Sequence, residues 1–286
     1  MGLIQHHVQV KQFMIANYLP IALIAGPCQL ESREHAFFMA KELKELCASY
    51  GVNFIYKTSF DKANRTSGKA QRGLGLEKSL AIFDELRAEL DIPIITDVHL
   101  PEQCAIIAPH VDMLQIPAFL CRQTDLIHAA RDTGLPLNIK KGQFISPMEV
   151  EPILRKAFKH PDKTAQIGFE TNVMICERGT SFGYNTLIND MTAIPQMVDL
   201  CHPVIFDASH SVQRPGAGNG CTIGNRNMVP YLARAAVAVG VAGVFIECHQ
   251  DPDHAPSDGP NMMHLRDMSK LLKQLTLIDT LTKEWK

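Results

Sequence analysis

The chain lacks the features that place many proteins in a class at once. Its charge is nearly balanced: 28 Lys and Arg against 30 Asp and Glu leave a formal −2. That predicts no general affinity for nucleic acid or for an anionic membrane. No apolar run is long enough to span a bilayer. Met1 to Lys11 has no cationic-then-apolar signal pattern, so a cytoplasmic protein is expected. No CxxC pair occurs. The cysteines, Cys28, Cys47, Cys104, Cys121, Cys176, Cys201, Cys221 and Cys248, are scattered and mostly apolar in context. They are predicted to be reduced, buried and inert, with Cys28 the exception. No GxGxxG fingerprint follows the first strand. Gly216-Ala217-Gly218-Asn219-Gly220 does not match it and is expected in a long loop, either a lid or a plain flexible connection.

What is present is material for one large domain or two smaller ones: 286 residues, 46% hydrophobic. The first twenty residues alternate weakly through Val8, Val10, Phe13 and Ile15. They suit a short hairpin ending at Pro20. Ile21 to Ala25 is then apolar throughout, as in a strand buried on both faces of a parallel sheet. A helical stripe follows from Arg33 to Tyr50, through Phe37, Phe38, Ala40, Leu43 and Leu46.

That unit recurs. Strands are predicted at 52–59, 92–99, 113–118, 135–141, 172–177, 203–207 and 241–247. Helices are predicted behind them at 76–90, 101–108, 123–133, 147–160, 190–200, 228–239 and 265–285. Eight strand-helix units predict a single (β/α)₈ barrel spanning 1–286, with 1–20 as an N-terminal extension. The alternative is an open doubly wound sheet.

In such a barrel the site lies at the carboxyl ends of the strands. Those ends carry Cys28; Lys57 and Ser59; Asp97 and His99; Gln115; Asn138, Lys140 and Lys141; Glu177 and Arg178; Asp207 and His210; Glu247 and His249. One ionisable residue there is usually a structural hydrogen-bonding group. A ring of them indicates a site. Lys57, Lys62, Lys140 and Arg178 form a cationic subset suited to a phosphate and a carboxylate together. The stretch from Lys57 to Ser67 is unusually rich in donors, with only Asp61 against it. A second subset falls where strand eight meets strand one: Cys28, His210 and Glu247, with Asp258 in the following loop. Singly, Cys28 reads as a core cysteine, His210 as a loop histidine and Asp258 as a helix cap. Together the four suit a divalent metal. His249 and His254 stand near that seam as outer candidates only. His6, His7, His128, His160 and His264 read as surface residues.

At these residues the chain resembles the 3-deoxy-D-manno-octulosonate 8-phosphate synthase family. The resemblance is carried by Lys57-Thr58-Ser59-Phe60-Asp61-Lys62-Ala63-Asn64-Arg65-Thr66-Ser67. Agreeing in order are Ile94 to His99, Gln115 to Leu120, Asn138 to Lys141, Glu177-Arg178-Gly179, Phe182-Gly183-Tyr184, and Phe245 to Glu247 through Asp258-Gly259-Pro260. It covers roughly 21–279. The related heptulosonate 7-phosphate synthases share barrel and phosphoenolpyruvate. They carry a Lys-Pro-Arg-type motif where this chain has Lys62-Ala63-Asn64-Arg65.

The resemblance implies condensation of phosphoenolpyruvate with D-arabinose 5-phosphate and water, a step toward lipopolysaccharide. It implies Lys140 and Arg178 on the phosphate of phosphoenolpyruvate, with Lys57, Ser59, Lys62 and Gln115 near its carboxylate and enol. Asn64, Arg65 and Thr66 are expected on the sugar phosphate. Lys57, Lys62, Asp97, Lys140 and His210 are the candidate catalytic residues. The family's metal-independent members carry asparagine at the position of Cys28. Cysteine here, with His210, Glu247 and Asp258, matches the metal-dependent type, using Zn, Fe, Mn or Co. A homotetramer is implied as well. The rivals are the heptulosonate reaction with erythrose 4-phosphate, a Schiff-base aldolase using Lys57 or Lys140, and a non-catalytic sugar-phosphate-binding barrel.

Overall fold

The computed structural model describes residues 6–63, 72–158, 172–200, 202–218 and 221–285. A hairpin of β1 (Val8–Val10) and β2 (Phe13–Ile15) comes first, as expected, in the register Val8 opposite Ile15. Then strand and helix alternate: β3 (Ala22–Gly26), α1 (Arg33–Tyr50), β4 (Asn53–Lys57), α2 (Leu76–Leu90), β5 (Ile94–Asp97) and α3 (Pro101–Ile107). β6 (Met113–Ile116), α4 (Thr124–Asp132), β7 (Leu137–Lys140), α5 (Val150–Ala157) and β8 (Val173–Glu177) continue the pattern. A small pair, β9 (Thr180–Ser181) and β10 (Leu187–Ile188), precedes α6 (Ala193–Val198) and β11 (Val204–Asp207). After the hairpin β12 (Gln213–Gly218) and β13 (Cys221–Gly224) come α7 (Val229–Val239), β14 (Gly243–His249), β15 (Met263–His264) and α8 (Leu265–Glu284).

The order β11-β8-β7-β6-β5-β4-β3-β14 is closed by a further β11–β14 pairing, and every one of these pairings is parallel. This is the (β/α)₈ barrel expected, and closure removes the open-sheet alternative. Local chemistry agrees with it. Ser32 starts α1 by accepting from the His35 N–H at 3.1 Å, and Gly51 ends it in the left-handed region at φ 65°. The apolar strand residues divide between two layers. Ile24, Ile55, Ile95, Met113, Met174, Ile205 and Phe245 fill the barrel interior, and Val8, Val10 and Ile15 of the first hairpin join them. Leu23, Tyr56, Leu114 and Phe206 face the helices instead, against residues such as Met39, Leu43, Phe83 and Leu275.

Three details differ from the sequence reading. Pro147–Glu149 is a 3₁₀ turn, so α5 proper begins at Val150, because proline suits a first turn better than an interior. α6 is shorter than 190–200, since the Asp190 carboxylate holds the Thr192 N–H and hydroxyl in a turn before it. The glycine-rich segment is not a plain loop. Its described residues pair as β12 and β13, with Gln213 opposite Gly224 and Gly218 opposite Cys221, and a register irregularity between. Pro215 and Ile223 of that hairpin form part of the cavity wall.

Candidate active site

A cavity of about 550 Å³ opens at the carboxyl ends of the strands. Lys57, Lys62, Lys140 and Arg178 line it, and so do His210 and Asp258. Two glycines have steric reasons to stand around it. A Cβ on Gly26 would lie 2.1 Å from the Lys57 carbonyl oxygen, so glycine lets β3 and β4 meet beneath the site. A Cβ on Gly259 would lie 2.3 Å from the Pro252 carbonyl, and this fixes the loop that carries Asp258.

The cationic side is built on buried pairs. The Lys57 ammonium donates to Glu247 Oε1 at 3.2 Å and to Ser59 Oγ at 3.0 Å, and stands 3.8 Å from Asp97. Ser59 donates to Asp97 Oδ1 and receives Lys62 Nζ at 2.8 Å. His99 Nε2 is 3.1 Å from the other Asp97 oxygen. Burial alone would raise the pKa of Asp97, but the Lys57 charge and the His99 hydrogen bond hold it well below the usual carboxylate range. Lys140 pairs with Asp207 and lies 3.2 Å from the centre of the Phe245 ring. Gln115 accepts from Asn138 Nδ2 at 3.1 Å. Arg178 is buried, and burial lowers its pKa. Its Nη2 donates to Gln213 Oε1 at 2.6 Å and to the His210 carbonyl at 3.2 Å, while buried Nη1 has no hydrogen-bond partner. An unpaired buried guanidinium nitrogen on a cavity wall suits an incoming anion.

The seam side is its complement. Donor atoms of Cys28, Glu247 and Asp258 lie within 4.8 Å of one another. His210 Nε2 stands 3.7 Å from Glu247 Oε1 and 3.9 Å from Asp258 Oδ2. Cys28 Sγ contacts Ser257 Oγ at 3.0 Å and Asp258 Oδ2 at 3.3 Å. Glu247 Oε2 is buried without a hydrogen-bond partner. Burial would raise the Glu247 pKa, but the His210 and Lys57 charges bring it below its ordinary value. A soft sulfur, an imidazole and two carboxylates with an orphaned buried acceptor form a donor set compatible with a divalent cation. Of the four residues expected from strands one, seven and eight and the following loop, Cys28, Glu247 and Asp258 form one close group, and His210 stands beside its two carboxylates.

Several expectations divide here. Asn64, Arg65 and Thr66 lie outside the described residues. Lys141, at a strand end, does not line the cavity; its buried ammonium is spent on the Ile145 carbonyl, Thr180 Oγ1 and Glu177, all at 3.1–3.5 Å. Glu177 accepts the N–H groups of Arg178 and Gly179, and so shapes the turn that presents Arg178. His249, Glu31 and His35 form a second close group beside the seam. Asp251 N–H donates to His249 Nδ1 at 3.0 Å, and His249 Nε2 lies 3.1 Å from Glu31 Oε1 without a hydrogen bond to it. His264, expected on the surface, is half-buried, with Nε2 3.1 Å from Arg226 Nη1.

Residues that the sequence did not assign also matter. Asp207 holds both Lys140 and His210; burial would raise its pKa, yet the charges of those two neighbours keep it below the ordinary range. The signal was Asp207 three positions before His210 at a strand end. Phe245, Ser257 and Gln213 are apolar or neutral contacts with no signal in one sequence. Among the described residues Cys28, Cys47, Cys104, Cys121, Cys176 and Cys248 are buried and in no disulfide.

A parallel barrel with paired lysines on one side of its mouth and a thiol, imidazole and carboxylate cluster on the other defines a class. The chain belongs to the DAHP synthetase I family, whose model matches residues 5–284. Among curated relatives it is 54% identical to the 2-dehydro-3-deoxyphosphooctonate aldolase of Bartonella tribocorum over 277 residues, 97% of either chain. It is 56% identical to the protein of that name from Agrobacterium fabrum over 262 residues, covering 92% of this chain and 90% of the relative. The Brucella ovis protein of the same name is 55% identical over 276 residues, covering 96% and 97%. The resemblance drawn from the Lys57–Ser67 motif is borne out. The relatives' names favour the octulosonate reading over the heptulosonate one. Among the described residues no helix is long and apolar enough to cross a membrane.

Proposed function

We propose that the chain condenses phosphoenolpyruvate with D-arabinose 5-phosphate and water, giving 3-deoxy-D-manno-octulosonate 8-phosphate and phosphate. One observation carries this reading. A single cavity is lined by Arg178, with its orphaned guanidinium nitrogen, by Lys57, Lys62 and Lys140, and by His210 and Asp258, which adjoin Glu247 and its orphaned carboxylate oxygen. The substrates bring two phosphates and a carboxylate, which explains the cations.

Lys140 and Arg178 hold the phosphate of phosphoenolpyruvate. Lys57 and Lys62, gathered on Ser59, meet its carboxylate. Asn64, Arg65 and Thr66 take the sugar phosphate. The enol carbon forms a bond to the aldehyde carbon, water adds at carbon two, and the carbon–oxygen bond to phosphate breaks. Asp97 stays ionised between Lys57 and Ser59, placed to fix both. Cys28, His210, Glu247 and Asp258 would hold a divalent ion of the zinc, iron, manganese or cobalt kind. That ion would supply Lewis acidity toward the aldehyde or the attacking water.

A Schiff-base mechanism is less well supported. Lys57 and Lys140 each meet a buried carboxylate, the arrangement of a charge clamp and not of a free amine nucleophile. A homotetramer, one chain per catalytic domain, fits the exposed Phe119, Phe144, Phe182 and Tyr184, and light scattering in solution reads it directly.

The test is phosphate release from phosphoenolpyruvate with arabinose 5-phosphate or erythrose 4-phosphate, each with and without a chelator. Preference for the five-carbon sugar, lost on chelation and in Cys28→Ala, is expected. Preference for the four-carbon sugar overturns the reaction assigned. Full activity after exhaustive chelation overturns the metal. Binding without phosphate release would leave only a sugar-phosphate-binding barrel.

A further inference from the structure

Asp207 ends β11 with no exposed surface, and three donors converge on its carboxylate. Oδ1 accepts the His210 backbone N–H at 2.9 Å. Oδ2 accepts His210 Nδ1 at 2.7 Å, and the same Oδ2 accepts Lys140 Nζ. A carboxylate accepts only, so Nδ1 is the nitrogen that carries the proton in a neutral ring. The bare Nε2 then faces Glu247 and Asp258, which is the orientation a ligand needs. Lys140, meanwhile, is seated on the Phe245 ring, whose centre lies 5.8 Å from the His210 ring centre. One oxygen therefore serves the two halves of the site at once.

We propose that Asp207 is a positioning residue that couples the anion end of the cavity to the cation end. A phosphate drawn to Lys140 then tightens a divalent cation at His210, and the reverse. This rests on the metal reading above. Without an anion, Lys140 and His210 divide the charge of Asp207 between them. A phosphate beside Lys140 and Arg178 offers the ammonium a second acceptor. The Asp207 carboxylate is then released toward His210, holding its ring and complementing the positive charge at Nε2. Linkage requires the effect to be reciprocal.

The experiment is cobalt(II) titration of the full-length protein, read by the thiolate-to-cobalt absorption that Cys28 would give. It is run with and without inorganic phosphate, and with phosphoenolpyruvate in the absence of any aldose. In the wild type either anion should tighten cobalt about 5- to 150-fold, the usual span of such couplings. In Asp207→Asn, of equal size, cobalt should still bind, more weakly, and the anion effect should fall at least fivefold toward unity. Lys140→Met removes the competitor from the other side. It should bind cobalt nearly as tightly as the phosphate-saturated wild type and respond little to phosphate. Should Asp207→Asn fail to fold by circular dichroism, the Lys140→Met titration decides alone.

A purely structural Asp207 would weaken both ligands in the variant and leave their coupling factor unchanged; that result overturns the proposal. So does a wild-type coupling near unity. Absence of any thiolate–cobalt band in the wild type fails the metal reading itself, a result distinct from bound cobalt with unaltered coupling.

Discussion

The two ends of this barrel bury side chains to a similar degree and fill the space in opposite ways. At the amino end, Val8, Val10 and Ile15 of the first hairpin close the interior with hydrocarbon. At the carboxyl end, Lys57, Lys140, Asp97, Asp207 and Glu247 are also almost wholly buried, and each is charged against a neighbour. Apolar burial stabilises without direction, at about 25 cal/mol for each Å² removed from water. A buried ion costs several kcal/mol of desolvation, recovered only in good geometry. The amino end thus contributes stability, and the carboxyl end uses part of it to hold charges in place. Their separation explains how one fold can keep a polar mouth without losing its core.

The comparison breaks most visibly in opposite readouts of two substitutions. Arg178→Ala removes the buried guanidinium whose Nη1 has no protein partner. It should lower kcat/KM on the order of 10²- to 10³-fold, the usual cost of one preorganised donor to an anion. The unfolding midpoint should move little, because burial of that guanidinium contributes little net stability. Steady-state kinetics and a urea curve on one preparation check both halves. A variant equally active but far less stable would show that Arg178 belongs to the scaffold.

Ile15→Ala is the mirror experiment. Ile15 is 1% exposed, ends β2 of the first hairpin and packs with the barrel-interior residues. The substitution should cost about 2–5 kcal/mol of stability through lost burial and a cavity. The KM for either substrate should be unchanged. A change in KM with an unaltered urea midpoint would mean that the plug reaches the site through the barrel, and the division between ends would fail.

These two ends were not equally legible in the sequence. The alternation of strand and helix was plain because apolar strands such as Ile21 to Ala25 are hydrophobic on both faces. Cys28, His210, Glu247 and Asp258 could be grouped from the sequence because closure of eight strands places their elements side by side. Lys141 misled, since a lysine at a strand end reads alike whether it faces the cavity or folds back on carbonyl groups, as it does on Ile145. Asp207 was visible only as a strand-end carboxylate; its double partnership depends on how β7 and β11 are spaced across the barrel. The β12–β13 hairpin was hidden because glycines weaken strand propensity, and only pairing in space restores it.

The smallest effect concerns the layer that belongs to neither end, and it sharpens what burial does to an ionisable group. At the mouth, partners hold Asp97 and Asp207 below the ordinary carboxylate range despite burial. In the helix layer Cys47 has no such partner, and burial pushes its thiol up to about 12. The sign of the pH effect is therefore reversed. Above the unfolded pKa of about 8.5 the unfolded chain releases a proton that the folded chain keeps, so stability falls as pH rises. Between pH 8.5 and 9.5 the wild type should lose about 1 kcal/mol more than Cys47→Ala, from this one thiol. Urea midpoints of the two proteins across that window measure it. The variant starts from lower stability, because a buried sulfur is gone, and should show the flatter slope. Equal slopes would place a charge partner beside Cys47, and would make the helix layer resemble the mouth more than the plug.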